Sequence, residues 1–163
     1  MRFAYVVIPE RGALDPLMAD LAQNLHSHGL RLAGVVQSHH NRPGRLKCDL
    51  ALQLLPDGAL RPISQDLGPL AEGCRLDVGA LESVVIEVSQ SLPGADLLLI
   101  NRFGKIEAEG RGFVSVISEA LGAGQSVLIG VAPRWVEAFG AFAGDLAEEL
   151  PADLAALEAW ART

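Results

Sequence analysis

The chain has 163 residues, of which 50% are apolar and 20% charged, and its net charge is −7. That length fits one domain with a full buried core, and that composition excludes a disordered chain. The charge argues against general nucleic-acid binding, which needs a basic face to neutralise phosphates, so any anion must be held by a local group of cations.

The opening run Met1 to Ile8 stops at Pro9-Glu10-Arg11, without the longer apolar region and small-residue cleavage site of a signal peptide. No later apolar run approaches membrane-spanning length. The expectation is a cytoplasmic protein with neither a membrane nor a nucleic-acid partner, in which Cys48 and Cys74 stay reduced.

Residues 3–8 read as a buried strand. Asp15-Pro16 fits a helix start, with Asp at the N-cap and Pro at the first helical position. Leu17, Met18, Leu21, Ala22 and Leu25 follow helical spacing up to Gly29. Leu30 to Val36 is strand-like, so the chain opens as a βαβ unit. Residues 48–55 and 59–65 flank Pro56-Asp57-Gly58, which predicts an antiparallel hairpin at the sheet edge. After a glycine-rich loop, Asp77 is a natural N-cap for a helix over 78–92. Leu97 to Ile100 then forms a central strand that runs into Asn101 to Lys105. A helix over 112–122, a strand over 126–131, a helix from Pro133 toward Phe142 and a final helix over 153–162 complete the pattern. Such alternation means an α/β three-layer domain, spanning 1–163, with a mostly parallel sheet. Ligands of such sheets bind beyond the carboxyl ends of the strands, which collects 9–15, 37–44 and 101–105 on one edge.

The motif Leu98-Leu99-Ile100-Asn101-Arg102-Phe103-Gly104-Lys105-Ile106-Glu107 resembles that of the small P-loop nucleoside-triphosphatases of the thermophilic-NTPase family. A closer resemblance is to the bacterial family called domain of unknown function 2478. It rests on Gly34-Val35-Val36-Gln37, Cys48-Asp49, Gly73-Cys74-Arg75-Leu76-Asp77 and Arg102 to Glu107. The resemblance implies a P-loop NTPase-like fold, in proteins often encoded beside molybdate-uptake genes, and no established activity.

The chain departs from the NTPase pattern at both catalytic elements, which the resemblance marks as a degenerate Walker A loop. A phosphate-binding P-loop needs Gly-x-x-x-x-Gly-Lys-Ser/Thr, since backbone amides cradle the phosphates, the Lys neutralises them and the hydroxyl holds Mg²⁺. Pro9 to Pro16 contains one glycine, no lysine and no hydroxyl. Asn101 and Arg102 stand where those enzymes carry a metal-organising Asp and a water-activating acid. Phosphoryl transfer depends on metal and positioned charge, so no catalytic residue is assigned.

The candidate ligand-binding residues are Arg11, Gly12, Gln37, His39, Asn101, Arg102, Gly104 and Lys105. They would form an anion pocket in which Arg102 offers a planar fork. The plainer reading is that Arg102 and Lys105 are solvated or paired with Glu107 or Glu109, and that Gly104 merely permits a tight turn. His39, His40, Cys48 and Cys74 are ligand types for a metal, but their spacing is irregular and adjacent histidines point apart in extended chain. His26 and His28 suit the end of the first helix. Trp135, Phe139 and Phe142 read as core, and Trp160 as an anchor for self-association.

Three functions fit these residues. The first is a non-hydrolysing protein that binds a small anionic ligand, molybdate or tungstate, in molybdenum uptake or homeostasis. The second is a nucleotide-binding protein or NTPase that takes a Mg-nucleotide on an atypical loop. The third is an accessory protein that acts through the surface near the 48–65 hairpin.

Overall fold

The computed structural model describes residues 2–10, 12–41, 48–56, 58–64 and 76–163, with the backbone alone at 38–41 and 48–50. Seven strands form one sheet: β1 (Phe3–Val7), β2 (Leu32–Asn41), β3 (Cys48–Leu54), β4 (Leu60–Pro62), β5 (Leu97–Phe103), β6 (Ser126–Val131) and β7 (Glu148–Leu150). Their order across the sheet is β4-β3-β2-β5-β6-β1-β7. The five strands from β2 to β7 in that order are parallel, while β3 and β4 are antiparallel. The expected three-layer α/β architecture with an edge hairpin is therefore present.

Helices cover both faces. On one side α1 (Leu14–Ser27) and α6 (Leu154–Arg162) pack Met18, Leu21, Leu25, Leu157 and Trp160 against Ala4, Val6, Leu97, Leu99 and Leu128. On the other, α2 (Val78–Ser91), α4 (Val114–Gly122) and α5 (Val136–Ala143) cover Val35, Leu98, Ile100, Val127 and Ile129. Alternate residues of β5 thus enter two different cores, which is why its sequence reads as an unbroken apolar run. Asp77 caps α2 as expected, and Asp153 caps α6, accepting from the amides of Ala80 and Ala156 at 3.1 Å.

Several boundaries differ from expectation for identifiable reasons. β2 continues to Asn41 because β3 pairs with it beyond the parallel part of the sheet, from Val35↔Leu54 to Asn41↔Cys48. Gln37 and His39 consequently belong to a strand and not to a strand-end loop. Asp15 is not the N-cap of α1: that position is Ala13, without a side-chain cap, and the Asp15 carboxylate accepts from Asn101 instead. The segment after Pro133 begins as a 3-10 turn (Pro133–Trp135) before α5. β7, with two exposed glutamates in three residues, carries no alternation that a sequence reading could detect.

Phe139 is central to the aromatic packing. Its ring centre lies 5.9 Å from Phe3, 4.8 Å from Tyr5 and 5.3 Å from Phe103, distances typical of favourable edge and tilted pairs. Trp160 is buried within its own chain, with the Arg2 guanidinium 4.4 Å from its ring centre and its indole N–H donated to Glu148 at 2.6 Å. The expectation that Trp160 serves as an exposed anchor is corrected by that burial.

Gly34 lets β2 lie against β5: its φ is +119°, and a Cβ there would fall 1.9 Å from the Leu99 carbonyl oxygen. Gly34→Ala is expected to lower unfolding free energy by about 3 kcal/mol or more, from backbone strain and overlap together. Urea denaturation measures this, and a loss below ~1 kcal/mol would mean that the backbone yields there.

Candidate functional site

The end of β5 is shaped by an irregularity. Ile100 pairs with Ile129 and Phe103 with Val131, so Asn101 and Arg102 together stand opposite the single residue Gly130. A Cβ on Gly130 would lie 2.3 Å from the Asn101 carbonyl oxygen, so the bulge requires glycine across from it. The extra residue also breaks the two-residue alternation. Asn101 faces α1, as simple alternation after Ile100 requires, whereas Phe103 returns to the face of Ile100 and joins the same core instead of following Asn101 to the α1 side.

The expected pocket is divided between two sides of the sheet. Asn101 is completely buried and donates its amide to Asp15 Oδ1 at 2.9 Å, in the first turn of α1. Its own Oδ1 is buried without a hydrogen-bond partner. Gly12 lies in the β1–α1 loop with φ +82° and open space where a Cβ would be. Arg11, Cys74 and the side chains of His39, His40 and Cys48 fall outside the described residues. Among the described residues, no group of three or more His, Cys, Asp or Glu side chains could hold a metal ion.

On the opposite side lies a cavity of about 550 Å³. Gln37, Arg102, Gly104 and Lys105 all line it, so four of the expected ligand-binding residues meet there. Its inner wall is apolar and buried: Val35, Leu52, Ile63, Leu81, Ile106 and Phe113. Two residues that sequence reasoning did not place here, Arg134 and Trp135, also line it. Trp135, on the 3-10 turn, is half-buried: it packs against the core cluster that contains Phe139, as its reading as core has it, and also lines the cavity. The useful signal was position: Arg134 and Trp135 directly follow the carboxyl end of a parallel strand. The Arg134 guanidinium lies 5.6 Å from the Trp135 ring centre, which orients it.

The loop that presents Lys105 is held by Glu107. The first residues after β5 form one short helical turn, α3 (Lys105–Ala108), and Glu107 is its third residue. Glu107 Oε1 accepts from the Gly104 amide at 3.0 Å and Oε2 from the Phe113 amide at 3.2 Å. One buried carboxylate therefore ties the β5–α3 loop to the start of α4. Glu107 does not pair with Arg102 or Lys105, and Glu109 pairs with Arg111 at 2.9 Å. Of the plainer reading, the pairing with these glutamates is not found, while Lys105 is exposed to solvent, as its other half has it. Gly104 is extended at φ −125° and a Cβ there would make ordinary contact, 3.6 Å from Glu107 Oε1, so no tight turn demands glycine.

Burial raises the Glu107 pKa above the usual carboxylate range; the amides of Gly104 and Phe113 oppose this, and the nearby Glu82 charge adds to it. The folded chain therefore holds this proton more tightly than the unfolded one. This contribution to stability is present at low pH and is lost as pH rises from the ordinary carboxylate range through the raised value. Glu107→Gln is expected to remove that fall with pH. It should also cost about 1–3 kcal/mol at all pH values, because only the oxygen of an amide accepts and one of the two backbone N–H groups is left facing the NH2 group. Thermal melts of both forms from about pH 4 upward test this; a wild-type slope unchanged in the variant would exclude Glu107 as its source.

Two solved structures share this architecture. The solution structure of a human cancer-related nucleoside triphosphatase superposes with a TM-score of 0.62 and 17% identity, covering 91% of this chain and 87% of that one. The crystal structure of THEP1 from the hyperthermophile Aquifex aeolicus gives a TM-score of 0.66 at 15% identity, covering 91% and 88%. The fold is that of the P-loop nucleoside triphosphatases. Within it, the chain belongs to the protein family of unknown function DUF2478, whose profile matches residues 3–160. It is also 34% identical over 164 residues to the molybdenum import ATP-binding protein ModC 2 of Bradyrhizobium diazoefficiens. That match takes in 99% of this chain and spans only 18% of the relative. No helix among the described residues is long and apolar enough to cross a membrane.

Proposed function

We propose that this protein binds a nucleotide and that the phosphate contacts come from Arg102, Lys105 and Arg134, not from the β1–α1 loop. The observation that carries the reading is the cavity where these three cations meet Trp135 at the carboxyl ends of the strands, on the fold of nucleoside triphosphatases. Its volume of about 550 Å³ falls among ligand sites of ~300–1,000 Å³. A tetrahedral oxyanion, comparable to a few water volumes of ~30 Å³, would leave most of the apolar wall uncovered.

The proposal is of binding without turnover. The β1–α1 loop has no lysine or hydroxyl, and the carboxylate of Asp15 stands in the first turn of α1, bonded to Asn101. Negative charge at that place opposes a triphosphate and its transition state. A second reading, molybdate or tungstate bound in molybdenum homeostasis, is favoured by the similarity to the molybdenum import protein.

Equilibrium titration with ATP, ADP and GTP, each with and without Mg²⁺, and with molybdate separates these readings. Nucleotide binding without phosphate release is expected, and Arg102→Ala should weaken it by about 1.5–3 kcal/mol, the worth of a charged hydrogen bond. Binding of molybdate with no response to any nucleotide would replace this reading with the oxyanion one.

A further inference from the structure

Exposure is graded across the cavity. Lys105 and Arg134 are exposed and Arg102 half-buried, whereas Val35, Leu52, Ile63, Leu81, Ile106 and Phe113 are each less than 9% exposed. The cations therefore stand at the mouth and the interior is aliphatic and aromatic. The carboxylate in the lining, Glu107, has both oxygens directed at backbone amides and pairs with none of the three cations.

From this we infer that a purine nucleoside mono- or diphosphate enters base first, its ring against the apolar interior and its phosphate held at the mouth by Arg102, Lys105 and Arg134, with no divalent cation required. The inference rests on the nucleotide reading above and adds orientation, phosphate number and independence from metal.

Three physical points support it. A charged phosphate drawn into the aliphatic interior would lose its hydration without a partner, whereas a flat base loses little and gains contact area. The reverse orientation would leave the three cations facing solvent. A phosphate monoester carries about −1.5 to −2 near neutral pH, which three cations can balance without Mg²⁺; each further phosphate raises that demand. Trp135, at the mouth and only half-buried, is placed to cover one face of the ring or the sugar as they pass the Arg134 side chain. Gln37 contributes the neutral amide on the β2 wall, suited to a base edge.

The test uses 2-aminopurine riboside 5′-monophosphate with the full chain in EDTA. The expected result is saturable binding, quenched fluorescence and protection of the bound base from acrylamide. AMP should compete, inorganic phosphate should compete at least tenfold more weakly, and Lys105→Ala and Arg134→Ala should each weaken affinity about tenfold while keeping the parent melting temperature. Both of those side chains are exposed, so their removal should not disturb folding. A bound base as accessible to acrylamide as the free one, a requirement for Mg²⁺, or equal affinity for inorganic phosphate would overturn the inference and leave nucleotide binding standing. Failure of every nucleotide to bind, with or without Mg²⁺, would overturn both.

Discussion

The space left by the missing side chain of Gly130 governs the functional end of this molecule. Because no Cβ stands against the Asn101 carbonyl, β5 can place two residues opposite one. That single insertion restores Phe103 to the aromatic core and directs the chain into the loop that carries Gly104 and Lys105, while Asn101 keeps the α1-facing side that alternation gives it. A bulge re-aims side chains while the rest of the ladder stays in register. The α1 face receives a neutral amide bonded to a carboxylate, and the opposite face receives the cations.

The loop after the bulge is pre-organised by Glu107. A buried carboxylate is expensive to desolvate, and in this position it is compensated by two backbone amides from segments six residues or fewer away in the chain. The local cost secures the orientation of a four-residue helical turn that could not be stable alone. Lys105 is thereby held at the cavity mouth, and among the described residues no carboxylate forms an ion pair with it. Arg134 is oriented on the other side by the ring of Trp135. Two different supports, a buried acid and an aromatic face, thus present positive charge to the same opening.

In a chain with net charge −7, such a local concentration of cations is informative. The overall field repels anions, so an anionic ligand must be selected by short-range contacts. The apolar wall behind the cations supplies a further criterion, because it rewards a ligand with a flat or aliphatic body. Similarity to nucleoside triphosphatases establishes the fold, and a fold alone does not assign chemistry. The arrangement of charge and apolar surface is what narrows it.

The sequence by itself determined the layered α/β architecture, since unbroken apolar runs and amphipathic segments can be satisfied only by a buried sheet covered with helices. It also placed the capping aspartate Asp77, the edge hairpin, and Arg102, Gly104 and Lys105 at the end of the central strand. These features follow from residues near one another in the chain. The tertiary structure decided the rest, because it depends on distant partners. The extension of β2 needed β3 as its partner, and the return of Phe103 to the face of Ile100 needed the space at Gly130. Trp135 packs against the core and also lines the cavity, and Trp160 was buried by α6 packing against the sheet. Periodicity reports which face a residue prefers; a bulge changes that face without leaving a local signal.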